Sequence, residues 1–282
     1  MTKVPDVYRK SNDFIKSSML DATALQQKVI NYALCQVNGI EDSEFGYCEI
    51  NLRDFCKTHG MAVCGASFNA IRDAVEALKW KNIHYWVQTD KAEGGKRTLR
   101  ILDDVIHAEN TGTIHIKFDD DLKPAFLQLN GYFTSIKYMY SAKFKNKYSS
   151  PLYEQLSSVH YHKTQPYTHY FELEELRWAL GATDKTYEEF KEFNRRVLKP
   201  AVEEIGKYTD INVSYKTLKN KRVVVGIVFE IAPKDAAERA LLGQPTVIVA
   251  PPSFVVNIGD GEQQVLFDQE AVSEAEEAPP DA

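Results

Sequence analysis

The chain is poor in the groups that mark enzymes and membrane proteins. Its four cysteines, Cys35, Cys48, Cys56 and Cys64, form no C-x-x-C pair. Without that spacing a zinc framework is not expected, and reduced, buried thiols are. No apolar run reaches about 18 residues, so no membrane span is expected. The opening stretch MTKVPDVYRKSND holds no hydrophobic signal core, and the expected location is cytoplasmic. No Walker A loop, no paired catalytic carboxylates and no Ser/His/Asp arrangement stands out. The expectation is no catalysis, no cofactor and no metal site.

Positive charge is also short overall, at 34 Lys and Arg against 40 Asp and Glu. The deficit is local. Residues 232–282 hold only Lys234 and Arg239 against ten acids, so residues 1–231 carry 32 basic and 30 acidic groups. A mildly basic body with an acidic tail is compatible with nucleic-acid binding, which follows the local patch more than the total. An apolar share of 44% suffices for cores, and 282 residues allow about two domains.

What is there is concentrated between Thr186 and Ile231. Tyr187, Phe190, Phe193, Val197, Ala201 and Ile205 recur at helical spacing and mark one apolar face. Lys191, Arg195 and Lys199 stand at i, i+4 and i+8, a single basic row with Asn194 and Arg196 beside it. Thr186 with Glu189 fits a capping box, and Pro200 predicts a kink. Two alternating strands follow, Ile211–Leu218 and Lys221–Ile231, joined through Lys219-Asn220-Lys221-Arg222. A basic helix followed by a hairpin with a basic tip is the layout of a DNA-binding winged helix. Arginine reaches guanine with two bonds and asparagine reaches adenine likewise, while tip cations suit phosphates. The plain alternative is a solvated charged face.

The same grammar occurs upstream. Helices are expected at Thr23–Val37, Leu52–Thr58 and Ala66–Trp80, with a strand near Tyr47–Ile50. A hairpin is expected from Ile83–Gln88 and Thr98–Leu102 through DKAEGGKR, with Thr113–Phe118 completing its sheet. Ser67, Asn69, Arg72 and Lys79 lie on the second helix of the pair, and Lys96, Arg97 and Arg100 on or beside the wing. They read as phosphate contacts or as a solvated surface around a dimerising domain. The second domain is expected to open with a strand-like segment at Phe133–Ser141. Helices then follow at Pro151–His162, with Ser150 as cap, and at Leu173–Leu180. The fold class is therefore α+β, tandem winged-helix domains with a disordered acidic C-terminal tail. The expected divisions are 1–130, 131–232 and 233–282, with one short helix at Lys234–Leu241.

Several separated motifs resemble the initiator Rep proteins of iteron-bearing, theta-replicating plasmids. They are RRVLKPAVEEI at Arg195–Ile205, TDINVSY at Thr209–Tyr215 and VVGIVFEI at Val224–Ile231. YRKSN at Tyr8–Asn12 and LQQKVINYA at Leu25–Ala33 are similar to that family's opening helix. The resemblance spans residues 7–231. It implies two winged helices binding double-stranded DNA with direct repeats, origin opening without catalysis, and recruitment of host replication proteins such as helicase and initiator. It also implies a monomer–dimer equilibrium in which dimers repress their own gene. On that footing the helix Thr186–Lys207 enters a major groove. Arg195 and Asn194 are placed at base edges, Lys191, Arg196 and Lys199 at edges or phosphates, and Lys219, Lys221 and Arg222 on the backbone.

In the tail, Gln263, Leu266 and Phe267 look like the Q-x-x-L-F peptide that binds bacterial sliding clamps. The alternative there is an apolar spot packing back on the domain. His160-Tyr161-His162 has the H-x-H form of rolling-circle nickases, but imidazoles at i and i+2 of a helix do not face one another. A winged-helix transcriptional repressor shares the DNA chemistry without the initiation role.

Overall fold

The computed structural model describes residues 7–87, 95–108, 111–160 and 165–240. The chain begins with strand β1 (Val7–Ser11), whose Tyr8 and Lys10 alternate inward. The YRKSN motif thus lies on this strand through Ser11, with only Asn12 opening the next helix. Ser11 caps the short α1 (Asn12–Ser17), followed by β2 (Ser18–Met19). The first winged helix opens with α2 (Ala24–Leu34), where Thr23 and Gln26 cap each other reciprocally. It continues with β3 (Cys48–Asn51), α3 (Leu52–Thr58) and α4 (Gly65–Lys79), with Asn51 accepting the Arg53 and Asp54 amides to start α3.

Here the strands depart from the sequence expectation. β4 (Asn82–Val87) and β5 (Gly95–Arg100) form a hairpin that pairs with β2. β6 (Leu102–Ala108) and β7 (Thr113–Phe118) form a second hairpin, with β7 central between β3 and β6. Thr113–Phe118 therefore does not complete the first hairpin's sheet. Its Ile114, Ile116 and Phe118 point inward to pack with Ile50 and Cys48, and that burial decides the pairing. β6–β7 is the wing of this winged helix, and β4–β5 is an inserted hairpin.

A short α5 (Lys123–Phe126) leads to β8 (Phe133–Lys137), which pairs antiparallel with β1, Tyr8 opposite Ile136. Residues Tyr138–Ser141 form α6 instead of extending that strand. After α7 (Ser149–Val159), the second winged helix is built from β9 (Tyr167–Glu172), α8 (Leu173–Ala179), a long bent helix, and the hairpin β10 (Ile211–Asn220) and β11 (Val223–Pro233). β11 sits between β10 and β9. Ser150 does not cap α7. The Glu204 carboxylate accepts the Lys145 and Asn146 amides and the Ser149 hydroxyl ahead of it. After α8 the chain reverses at Gly181, whose φ of +66° suits a residue without a side chain.

The long helix starts at Phe190, so Thr186 and Glu189 form no capping box. Asp184 accepts the Thr186 amide in a preceding 3-10 turn. Helix α9 (Phe190–Phe193) passes through a π-helical segment, Asn194–Leu198, into α10 (Lys199–Tyr208). Pro200 offers no amide to the Arg196 carbonyl and crowds it. The chain answers with a widened turn just upstream of the proline. Past β11, α11 (Ala236–Ala240) folds back through a reciprocal Asp235–Glu238 cap, and the buried Lys234 ammonium bonds the Gly206 carbonyl near the end of α10. Desolvation pulls the Lys234 pKa down.

The two winged helices share one continuous apolar core. Trp86 of the inserted hairpin meets Trp178 of α8 at 6.3 Å between ring centroids. Cys35, Cys48 and Cys56 are buried thiols as expected, whereas Cys64 is exposed, because it precedes α4 on the surface turn. Among the described residues no helix is long and apolar enough to cross a membrane.

Candidate nucleic-acid interface

The long helix of the second domain buries Phe193, Val197, Ala201 and Ile205 completely. That burial fixes its rotation, and Lys191, Arg195, Arg196 and Lys199 are left exposed on the other side. The two arginines stand in the widened segment Asn194–Leu198. Both are engaged by one carboxylate. Arg195 donates to Glu192 from Nε at 3.2 Å and Nη2 at 2.7 Å, and Arg196 Nε donates to the same group at 2.6 Å. These bonds hold the Glu192 pKa down and the Arg195 pKa up.

Asn194 is half-buried, and its amide oxygen accepts the Tyr215 hydroxyl from β10. The bond ties the wing strand to the helix beside the arginines and fixes the amide's orientation. Asn194 therefore sits one layer deeper than the basic row. At the wing tip Lys221 and Arg222 are exposed and Lys219 is half-buried. Lys221 takes a φ of +56°, a left-handed conformation unfavourable for a side chain and ordinarily taken by glycine or asparagine. A lysine kept there puts charge at the tip at the expense of local strain.

In the first domain α4 carries the expected residues. Asn69 is exposed and accepts from Arg72 Nη1 at 3.1 Å, Ser67 contacts Cys64, and Lys79 pairs with Glu76 at 3.8 Å. Lys96 and Arg97 are not on the wing. They lie on the inserted hairpin, where the Lys96 ammonium is 4.8 Å from the Trp178 ring centre and Arg97 bonds Asp121 at 3.0 Å and Tyr85 at 3.2 Å. Arg100, beside them, lies 3.8 Å from Asp119. The actual wing, β6–β7, bears Asp103, Asp104 and His107, with Lys117 paired to Asp103. Among the described residues, the wing that carries clustered exposed cations at its turn is that of the second domain. Lys185 is also exposed, in the 3-10 turn before the long helix. Glu192 and Tyr215 were missed because an acid and a strand tyrosine give no sequence signal for DNA reading.

His160 ends α7 and bonds the Gln165 carbonyl at 2.9 Å, a structural use. Tyr161 and His162 lie outside the described residues, as do Gln263, Leu266, Phe267 and the rest of the acidic tail. No cluster of His, Cys, Asp and Glu able to hold a metal occurs among the described residues.

The family "Initiator Replication protein, WH1" matches residues 7–157, and "Initiator Rep protein, WH2" matches residues 172–231. The chain belongs to the initiator Rep family. Among solved structures, the Pi initiator protein in complex with iteron DNA covers 83% of this chain and all of its own, with a TM-score of 0.68 at 19% identity. That similarity establishes a shared two-domain fold. The WH1 domain of a replication protein isolated from a multiple sclerosis patient covers 37% of this chain and 79% of its own, at 16% identity and a TM-score of 0.31. Domains 2 and 3 of RctB cover 83% of this chain and 93% of their own, at 12% identity and a TM-score of 0.41. In this initiator Rep chain the WH2 match contains the basic helix, the wing and their Tyr215 link.

Proposed function

We propose that this chain is a plasmid replication initiator that binds directly repeated origin sites, opens the origin and brings host replication proteins to it. In this reading it also represses its own gene as a dimer. The observation that carries the reading is the pairing of an outward basic row on a fixed helix with a strained, basic wing tip in the same domain. The Pi relative, solved with iteron DNA on the same fold, supports the choice of ligand.

The second domain supplies recognition. Arg195 reads a base edge, Arg196, Lys191 and Lys199 lie at edges or phosphates, and Asn194 positions the helix against the wing. Lys219, Lys221 and Arg222 hold the backbone beside the groove. Ser67, Asn69, Arg72 and Lys79 grip the neighbouring groove more weakly, since their domain's wing lacks the basic tip. The tail peptide Gln263, Leu266, Phe267 addresses the host clamp.

Two single substitutions separate reading from holding. Arg195→Ala is expected to cost about 1–3 kcal/mol on the repeat and to relax preference at one position. Lys221→Ala is expected to weaken every duplex alike and to lower the log–log salt slope by about one. Titrations at several salt concentrations check both. Equal behaviour of the two variants would contradict this division of labour.

A further inference from the structure

Glu192 is an acid in the middle of a surface assigned to a polyanion. Its side chain is 23% exposed, against 59% and 52% for the Arg195 and Arg196 side chains it holds. The Glu192 side chain is thus partly covered while the two arginine side chains reach further outward. Fold stability does not account for it, since exposed ion pairs at i, i+3 and i, i+4 contribute little.

We propose that Glu192 sets the sequence specificity of this helix, holding Arg195 as a base reader and committing Arg196, of the two placements given above, to a base edge, so that both are withheld from phosphates. The proposal rests on the DNA-binding reading above and names the residue that makes that binding selective. A guanidinium has two hydrogen-bonding forks, one along Nε and Nη2 and one at its end. Glu192 occupies the Nε–Nη2 fork of Arg195, so the end fork remains for O6 and N7 of guanine. Arg196 is held through Nε alone, which leaves its terminal nitrogens available.

The consequence is a penalty on the wrong complex. If either arginine swings to a phosphate, it leaves a carboxylate short of partners among phosphates. A complex in which both arginines address bases keeps the carboxylate paired. Discrimination then arises partly from what non-specific binding loses. The widened turn at Asn194–Leu198 and the Tyr215–Asn194 bond hold the backbone of the pair in place.

The test uses the full-length chain and its Glu192→Gln variant. Wild-type protein first selects a site from a random duplex library. Affinity for the selected site and for a scrambled duplex is then measured across salt. For Glu192→Gln we expect about tenfold tighter binding to the scrambled duplex at low salt and a loss of about tenfold in preference for the selected site. The salt slope on the scrambled duplex should steepen by about one to two, as the released arginines reach phosphates. Glu192→Asp, which keeps the charge, should retain a wild-type slope, and both variants should melt as the wild type does. An unchanged preference and slope in Glu192→Gln would overturn the proposal. Equal weakening on both duplexes would also overturn it, since Glu192 would then be a direct contact. If the wild type enriches no site at all, the DNA-recognition reading falls instead, whatever the variant does.

Discussion

Replacing Glu154 with alanine is expected to destabilise the fold by about 3–5 kcal/mol, read as a fall in the urea midpoint at constant slope. Glu154 lies on α7 and accepts from Lys10 Nζ at 2.8 and 3.0 Å and from the Tyr8 hydroxyl at 3.0 Å. Both Lys10 and Glu154 are 9% exposed. Without the carboxylate an ammonium is left in an apolar interior with nothing to neutralise it. The pair joins β1 to α7, two elements more than a hundred residues apart in the chain that both carry part of the WH1 match, so the loss falls on their packing. Lys10→Met combined with Glu154→Leu should recover most of the stability, because removing both charges also removes their desolvation cost. If Glu154→Ala alone lowers the unfolding free energy by less than about 1 kcal/mol, the pair does not stabilise the packing of β1 on α7.

Stability should also fall on mild acidification through His59. Its half-buried ring packs between Phe55, at 3.9 Å between centroids, and Tyr138. Nδ1 donates to the Phe55 carbonyl at 2.8 Å, and Nε2 accepts the Tyr138 hydroxyl at 2.6 Å. Desolvation brings its pKa down from 6.5 to about 4. The folded protein thus holds neutral imidazole where the unfolded chain would be protonated. The stabilisation is complete above about pH 6.5, is lost as pH falls from 6.5 to 4, and changes no further below that. At pH 5 the loss is about 2 kcal/mol, rising to about 3 kcal/mol at the lower limit. His59→Gln should flatten the difference in urea midpoint between pH 7 and pH 5. An equally steep dependence in the variant would assign the acid sensitivity elsewhere.

The helices were legible where burial follows a 3.6-residue period. Leu52–Thr58 and the long helix from Phe190 are of this kind, since Leu52, Phe55, Phe193 and Val197 mark their faces. Strands were less legible. Leu102–Ala108 carries two aspartates and pairs with β7 through a register shift, so its apolar alternation is weak. Tyr167–Glu172 mixes aromatic and polar residues on both faces and owes its pairing to Phe229 and Ile227. Val7–Ser11 becomes a strand only because β8 lies alongside, a partner more than a hundred residues away. Local pattern cannot supply such a pairing. At the site, the basic row and the wing tip were readable as residue types at fixed spacing. Glu192 was not, because an acid at i−3 and i−4 of two arginines has the pattern of any surface ion pair.

The central claim is that the second domain reads a direct repeat through the outward face of its long helix. A footprint of the full-length protein over the DNA upstream of its own gene, with Arg195→Ala alongside, tests it most directly. The account predicts evenly spaced protection over direct repeats for the wild type and its loss in the variant. Protection confined to an inverted repeat, or protection unaltered by Arg195→Ala, would contradict it.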